Sequence, residues 1–420
     1  PDPDPDPDPD PDPDPDPDPD PDPEPSYNLC GVGRTAARPA GTWDAPIIAP
    51  FTPMVDEGDT AQSASDVANT YDCAPDTLES GPEVVYRFST SHPGDFRAEL
   101  SDGVGVDIDL HLLQDPQIDA NGHVTGCIGR AHEVLIVEDL PAGDYAVVAD
   151  TWTSAGGQEY AGAFRVAFEF VSPNVATEVL VEPGVSWTRT RLEGPSVQTV
   201  NVLRVAPGSG WDLQPYRHSG CQTAAAGMDA IGGFVGVNAN FYASCTPTDL
   251  LKEDGTLHTT NGTTDFEQRT VGWDALDSVQ FQWVQPGVDW PGVQNAVGGY
   301  PSLVNAGVAK AEVYQGEQVW SAADWQPNPR TVMGVDAQGH IVLATFDGRT
   351  PAGDGMTTPA LADWVAAELG LVDAINLDGG GSTTMVVRDC WLNHTVSFPS
   401  DNEAADHAGL RAVASGVYLR

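Results

Sequence analysis

Between Glu83 and Phe170 the apolar residues come in short runs broken at every second position, and this alternation limits the possible folds more than any other feature. Val85-Tyr86-Arg87-Phe88, Phe96-Arg97-Ala98-Glu99-Leu100 and Ile108-Asp109-Leu110-His111-Leu112 begin the series. Val134-Leu135-Ile136-Val137, Tyr145-Ala146-Val147-Val148-Ala149-Asp150 and Phe164-Arg165-Val166-Ala167-Phe168-Glu169-Phe170 continue it. A period of two puts alternate side chains on opposite faces of a strand, so such runs bury a face only as β-sheet. Pro93-Gly94-Asp95 and Pro141-Ala142-Gly143-Asp144 supply turns between them. Short strands at roughly 8–12-residue spacing predict an all-β sandwich. Residues 27–75 are rich in Pro, Gly, Thr and Ala and read as an irregular lead-in, so the sandwich unit spans 27–172.

A second unit follows a predicted linker, 173–184, and occupies 185–420. Trp187–Leu192 and Val197–Val205 alternate again. Thr223 is placed to cap a helix over Ala224–Ala230, and a buried strand, Phe234–Asn238, comes next. Thr331–Asp336, the turn Ala337-Gln338-Gly339 and His340–Asp347 predict a β-hairpin. A helix then opens at Thr358 with Pro359 in its first turn; Leu361, Trp364, Val365 and Leu369 share one face, and Gly370 ends it. Strands mixed with one or two helices define an α+β domain, so the chain is multidomain.

The chain is strongly acidic, with 18 Lys plus Arg against 62 Asp plus Glu and a net charge of -44. That field repels a phosphate backbone and excludes general nucleic-acid binding. Residues 1–22 are eleven Pro-Asp repeats, and with Glu24 the segment 1–26 carries twelve negative charges and no positive one. Proline at alternate positions blocks helix and ladder, and the aspartates repel one another. The expectation is a disordered but extended, polyproline-like tether. Such a stalk suits a protein held outside a membrane, in the extreme through a trimmed, lipidated N-terminus. Six cysteines without a CxxC fit disulfides in an oxidising compartment better than zinc. Of the fifteen pairings, Cys73–Cys127 and Cys221–Cys245 are favoured because each stays within one proposed unit, which leaves Cys30–Cys390. The expected location is therefore secreted or extracellular, with the periplasm as the alternative.

Three segments carry residues suited to chemistry. Asn376-Leu377-Asp378-Gly379-Gly380-Gly381-Ser382-Thr383 delivers a carboxylate to the end of an apolar strand, where a three-glycine loop begins. Glycine permits close backbone approach, successive amides can form an anion nest, and Ser382 and Thr383 add hydroxyls. No Lys follows, which disfavours a nucleotide-triphosphate loop. Arg330 and Asp347-Gly348-Arg349 flank the predicted hairpin, and guanidinium is the natural planar clamp for a phosphate or carboxylate. Asn238-Ala239-Asn240-Phe241-Tyr242 offers amides and aromatics suited to a sugar.

Taken together, Gly236–Phe241, Gly299–Val304, Pro329–Gly334, Asp347–Arg349 and Asn376–Ser382 make residues from about 178 to 420 resemble the phosphodiester glycosidase family. The resemblance implies hydrolysis of the glycosidic bond of a sugar-1-phosphodiester, such as a GlcNAc-1-phosphodiester, in extracellular or cell-envelope glycans. Asp378 is the first choice for the carboxylate that meets oxocarbenium-like charge and Asp347 the second, with Asn238 in the same catalytic set. Arg330 and Arg349 would hold the phosphate, and Asn240, Asn376, Gly379, Gly380, Gly381, Ser382 and Thr383 would line the substrate site. Asn238-Ala239-Asn240 departs from the family's more usual Asn-Gly-Gly. Val85–Phe88, Asp107–Leu113 and Leu140–Tyr145 resemble the bacterial pre-peptidase C-terminal (PPC) sandwich, which implies an accessory module.

No cofactor is required by this reading. A divalent cation such as calcium is allowed at Asp336 and Asp347, together with Asp378, or in the sandwich at Asp107 and Asp109. The histidines lack zinc spacing, and no GxSxG elbow is present. The alternative functions are a carbohydrate-binding or exopolysaccharide-associated surface protein without turnover, and a surface scaffold.

Overall fold

The alternating runs between 47 and 171 form two packed β-sheets, described here from a computed structural model. The structure describes residues 30, 40–49, 53–194, 197–262, 267–275, 278–312 and 326–420. The Pro-Asp repeat read as a tether lies outside them.

One sandwich sheet has the order Ile47–Ile48, Glu83–Thr90, Gly143–Thr151, Ile108–Ile118, His123–Ala131 and Thr70–Tyr71. The other has the order Met54–Asp59, Ala163–Val171, Gly94–Asp102 and Val134–Leu140. Tyr86, Phe88, Leu110, Leu112 and Val147 point inward against Phe96, Leu100, Val166 and Phe168. Val85, Leu113, Ala146 and Val148 point the other way and are covered by Ala68 and Tyr71. The six-stranded sheet is thus buried on both faces, because part of the predicted lead-in folds back over it. Met54–Asp59, also within that lead-in, is a full strand pairing with Ala163–Val171.

The stretch read as a linker is not one. Thr177–Glu182 is the edge strand of an eight-stranded sheet, paired with Val185–Leu192. The sheet continues through Gln198–Val205, Ile341–Phe346, Arg330–Asp336, Leu371–Asn376, Ser302–Asn305 and Val308–Glu312. Val202, Val332, Val342, Ala344 and Phe346 on one face pack against Leu361 and Val365 of the helix Thr358–Ala367. That helix is capped by Thr357, whose side chain accepts from the Ala360 amide, one residue before the expected start. Leu203, Met333, Leu343 and Ile375 on the opposite face meet Val235, Val237, Val271, Val297, Met385 and Val417. These last residues belong to a four-stranded sheet built on Val235–Asn238 and Val413–Leu419, and a five-stranded sheet built on Gln268–Trp273 and Asn295–Gly298.

Two consequences position the site. The hydrophobic layer between the sheets fixes the ends of Val235–Asn238 and Leu371–Asn376 side by side. The structure also contains all three disulfides, Cys30–Cys390, Cys73–Cys127 and Cys221–Cys245. The first spans a sequence separation of 360. The sandwich and the C-terminal sheets share a small buried apolar contact of Val55, Ala167 and Trp391.

Candidate active site

Asp378 sits one residue past Leu377 at the mouth of the strand Leu371–Asn376. Its backbone is tied on both sides: its amide donates to Ala239 O at 2.9 Å, and its carbonyl accepts from Asn238 Nδ2 at 2.7 Å. The following residues make a 3₁₀ turn, Gly380–Ser382. Burial pushes the Asp378 carboxyl up to about 6, against the opposing pull of Ser382, the Gly379 amide and Arg411.

The three glycines serve close approach. A Cβ on Gly379 would lie 2.8 Å from Pro329 O, and one on Gly380, whose φ is +61°, would lie 3.0 Å from Arg349 Nη1. One on Gly381 would meet Asp401 Oδ1 and Arg411 Nη2 inside contact distance. Only a residue without a side chain lets two guanidiniums press on this loop. The expected amide nest is largely spent: the amides of Gly380, Ser382 and Thr383 donate to Pro329 O, Gly379 O and Gly380 O. Positive charge at the loop therefore comes from Arg349 and Arg411. Arg349 donates through Nε and Nη2 to Asn328 Oδ1, at 2.9 and 2.5 Å. Its own φ of +57° is a conformation costing about 1 kcal/mol or more, of the kind found at functional loops. Arg411 grips Asp401 with Nε and Nη2 at 2.9 and 2.6 Å. A cleft of about 570 Å³ opens beside the loop, lined by Arg349, Thr350, Pro351, Asp354, Ser400, Asp401 and Glu403.

A second carboxylate escaped the sequence reading. Asp249 is 3% exposed, and burial, reinforced by the Asp378 charge, pushes it up to about 7 while Gln268 and the Phe241 amide oppose. Arg411 and Asp401 were missed as well. The available signal was rarity: 18 basic residues stand against 62 acidic ones, so each arginine has many potential carboxylate partners. Asp249 had no such signal, standing beside Leu250-Leu251 like a strand terminus.

The other expected residues divide between scaffold and interior. Asn238 is fully buried; its Oδ1 accepts from Thr331 Oγ1 at 2.8 Å and the Thr384 amide at 3.0 Å. Asn240 is buried too, giving Nδ2 to Leu250 O and Gly298 O and taking Ser415 Oγ on Oδ1. These amides brace the strand ends. Asn376 Nδ2 donates to Tyr300 O at 2.7 Å, while its Oδ1 has no hydrogen-bond partner among the described residues. Ser382 and Thr383 are buried, with Thr383 Oγ1 3.4 Å from Thr331 Oγ1. Arg330 is 8% exposed and donates to Met356 O and Gln326 O, so it shapes the wall under the loop.

Asp347 does not face the cleft beside Arg349. It is 2% exposed, and burial raises it to about 7 against the opposing pull of Arg189 and the Phe398 amide. The reason is where the strand ends: Asp347 keeps the ladder, its amide bonded to Thr199 O, whereas beyond it the backbone leaves the strand and Arg349, at φ +57°, turns out. Asp336 and Asp347 cannot share one cation. The ladder runs from Arg330–Phe346 to Val335–Ile341 and each aspartate lies one step beyond an opposite end of it, about seven residues or roughly 23 Å apart. Asp336 is instead held by Arg204 and His340, each at 2.9 Å.

Among the described residues, Asp107, Asp109 and His132 bring ligand atoms within 4.8 Å of one another, and so do Cys73, His111 and Cys127, whose two thiols are joined in a disulfide. Asp109 is at the same time bound by Arg130.

Residues 224–420 match the phosphodiester glycosidase family, so the C-terminal region carries that family's sequence pattern. Among solved structures, the chain is similar to the zebrafish N-acetylglucosamine-1-phosphodiester α-N-acetylglucosaminidase catalytic domain, auto-inhibited by its pro-peptide. That likeness covers 59% of this chain and 87% of the other, at 15% identity and a TM-score of 0.45. A hypothetical protein from Synechocystis is similar over 82% of this chain and 76% of its own, at 13% identity and a TM-score of 0.47. No match is found among curated proteins.

Proposed function

We propose that the chain is a hydrolase that cleaves the glycosidic bond of a sugar-1-phosphodiester, with a GlcNAc-α-1-phosphodiester as the reference substrate. The family match supports the reaction class. The observation that carries the reading is Asp378 at a glycine loop pressed by two guanidiniums, Arg349 and Arg411. The guanidiniums hold the anionic phosphodiester. Water's oxygen bonds to the anomeric carbon as the carbon–oxygen bond to phosphate breaks, and the electron pair leaves with the phosphate. Ionised Asp378 stabilises the oxocarbenium-like charge or takes the water's proton. A phosphate monoester is a good leaving group, so no strong general acid is demanded; Asp249 is the nearby carboxyl that stays protonated up to about pH 7. Extracellular action on envelope glycans and a PPC-like accessory role for the sandwich belong to the same proposal. Three disulfides support an oxidising compartment, and no helix among the described residues is long and apolar enough to cross a membrane. A calcium-like cation at Asp107 and Asp109 is proposed only as an accessory of the sandwich.

The test is release of free sugar from a synthetic GlcNAc-α-1-phosphodiester. Turnover lost in Asp378→Ala is the expected result. Binding without turnover by the unaltered chain would favour the carbohydrate-binding reading.

A further inference from the structure

Residues 396–412 form no strand or helix, yet they carry both Asp401 and Arg411 to the glycine loop. A segment without its own ladder takes its geometry from anchors, and much of its anchoring comes from the sandwich. His407 is 1% exposed, with Nδ1 2.8 Å from Ser397 O and Nε2 3.4 Å from Glu169 Oε1, on the strand Ala163–Val171. Glu169 also receives Arg189. Arg97, on the strand Gly94–Asp102, donates Nε to Ala405 O at 3.1 Å. Two guanidiniums lie over the Phe398 ring, those of Arg97 and Arg189, 4.6 and 4.7 Å from its centroid. Just upstream, Trp391 Nε1 donates to Glu99 Oε2 at 2.6 Å.

We propose that the β-sandwich is a working part of the site: through Glu169 and Arg97 it holds the segment 397–411 and so sets Arg411 and Asp401 against the glycine loop. Glu169 and Arg97 are positioning residues, since neither reaches the cleft. Buried polar anchors of this kind specify one arrangement, because any slippage leaves a charge unpaired. Burial opposes ionisation of Glu169, but Arg189, His407 and Arg97 together hold it at about 2, so the anchor persists across the physiological range. This inference rests on the glycosidase reading for its effect on catalysis, but not for its effect on the segment.

The experiment uses the full chain and two readouts. Amide hydrogen exchange is compared between the unaltered protein, Glu169→Ala and His407→Gln; faster exchange over 398–411 is expected. Hydrolysis of the GlcNAc-α-1-phosphodiester is measured for Glu169→Ala and Glu169→Gln, alone and with Arg411→Ala. A misplacement of about 1 Å costs up to about 100-fold, so kcat/KM should fall at least about tenfold in Glu169→Ala. Glu169→Gln, which still accepts from Arg189, should recover part of that. The Glu169→Ala loss should shrink to less than about twofold once Arg411 is gone, because the two act through one contact. Unchanged exchange in both single variants, or the same fold-loss with and without Arg411, overturns the proposal. If Glu169→Ala does not fold, His407→Gln takes its place in the cycle. An unaltered chain that hydrolyses nothing defeats the glycosidase reading, while the exchange comparison still decides whether the sandwich holds the segment.

Discussion

Asp378 and Asp249 are two carboxyls whose surroundings hold them at about 6 and about 7. A reaction that needs Asp378 ionised rises as pH passes about 6. One that also needs Asp249 neutral falls as pH passes about 7. The expected profile of kcat/KM is a narrow bell between those limbs, and Asp249→Asn should remove the alkaline one while keeping the acid one. Asp347 makes a separate prediction about stability. Its folded value lies above that of a free aspartate, so the stability it contributes is complete below about pH 4 and is lost as pH rises through about 7. Asp347→Asn should therefore narrow the gap between urea midpoints measured at pH 6 and pH 8.5; an unchanged gap would contradict the assignment. Asp378 was legible in the sequence because a polar residue ends an apolar strand and three glycines follow. Asp249 and Arg411 were not, since their partners lie far away in sequence and no local pattern announces the contact. Asp347 shows the limit of motif proximity: two positions from Arg349 along a strand end, it turns into the interior.

At the scale of elements, the sandwich strands were readable from short apolar runs punctuated by turn residues, and the hairpin Arg330–Phe346 from two apolar runs, buried on both faces, about the turn Ala337-Gln338-Gly339. The helix over Thr358–Ala367 was readable from its apolar stripe. The strand Thr177–Glu182 was not, because its burial is partial and Pro173 and Pro183 framed it as a linker. An edge strand needs only one partner ladder, which the sequence of Val185–Leu192 supplies at a distance. The hairpin holds the two large cores together: Leu343 is fully buried among residues of three sheets. Leu343→Ala should lower unfolding free energy by about 2–5 kcal/mol in urea titration, whereas Leu180→Ala, at a position 49% exposed, should cost far less. Similar costs at both positions would argue against the packing described.

At the scale of the whole molecule, the family motifs prove to be bracing as much as chemistry. Asn238, Pro329 with Thr331, and Tyr300 through Asn376 tie three distant segments to the loop that carries Asp378. This explains why the motifs identify the site while naming few of the groups that line it. The glycosidase reading proposed for this site places bond cleavage at carbon. Hydrolysis of the GlcNAc-α-1-phosphodiester in ¹⁸O-enriched water, followed by mass spectrometry of both products, tests this most directly. The account predicts the label on the anomeric hydroxyl of the freed sugar, none in the phosphate monoester, and no labelled product from Asp378→Asn. Label in the phosphate, or wild-type turnover by Asp378→Asn, would contradict it.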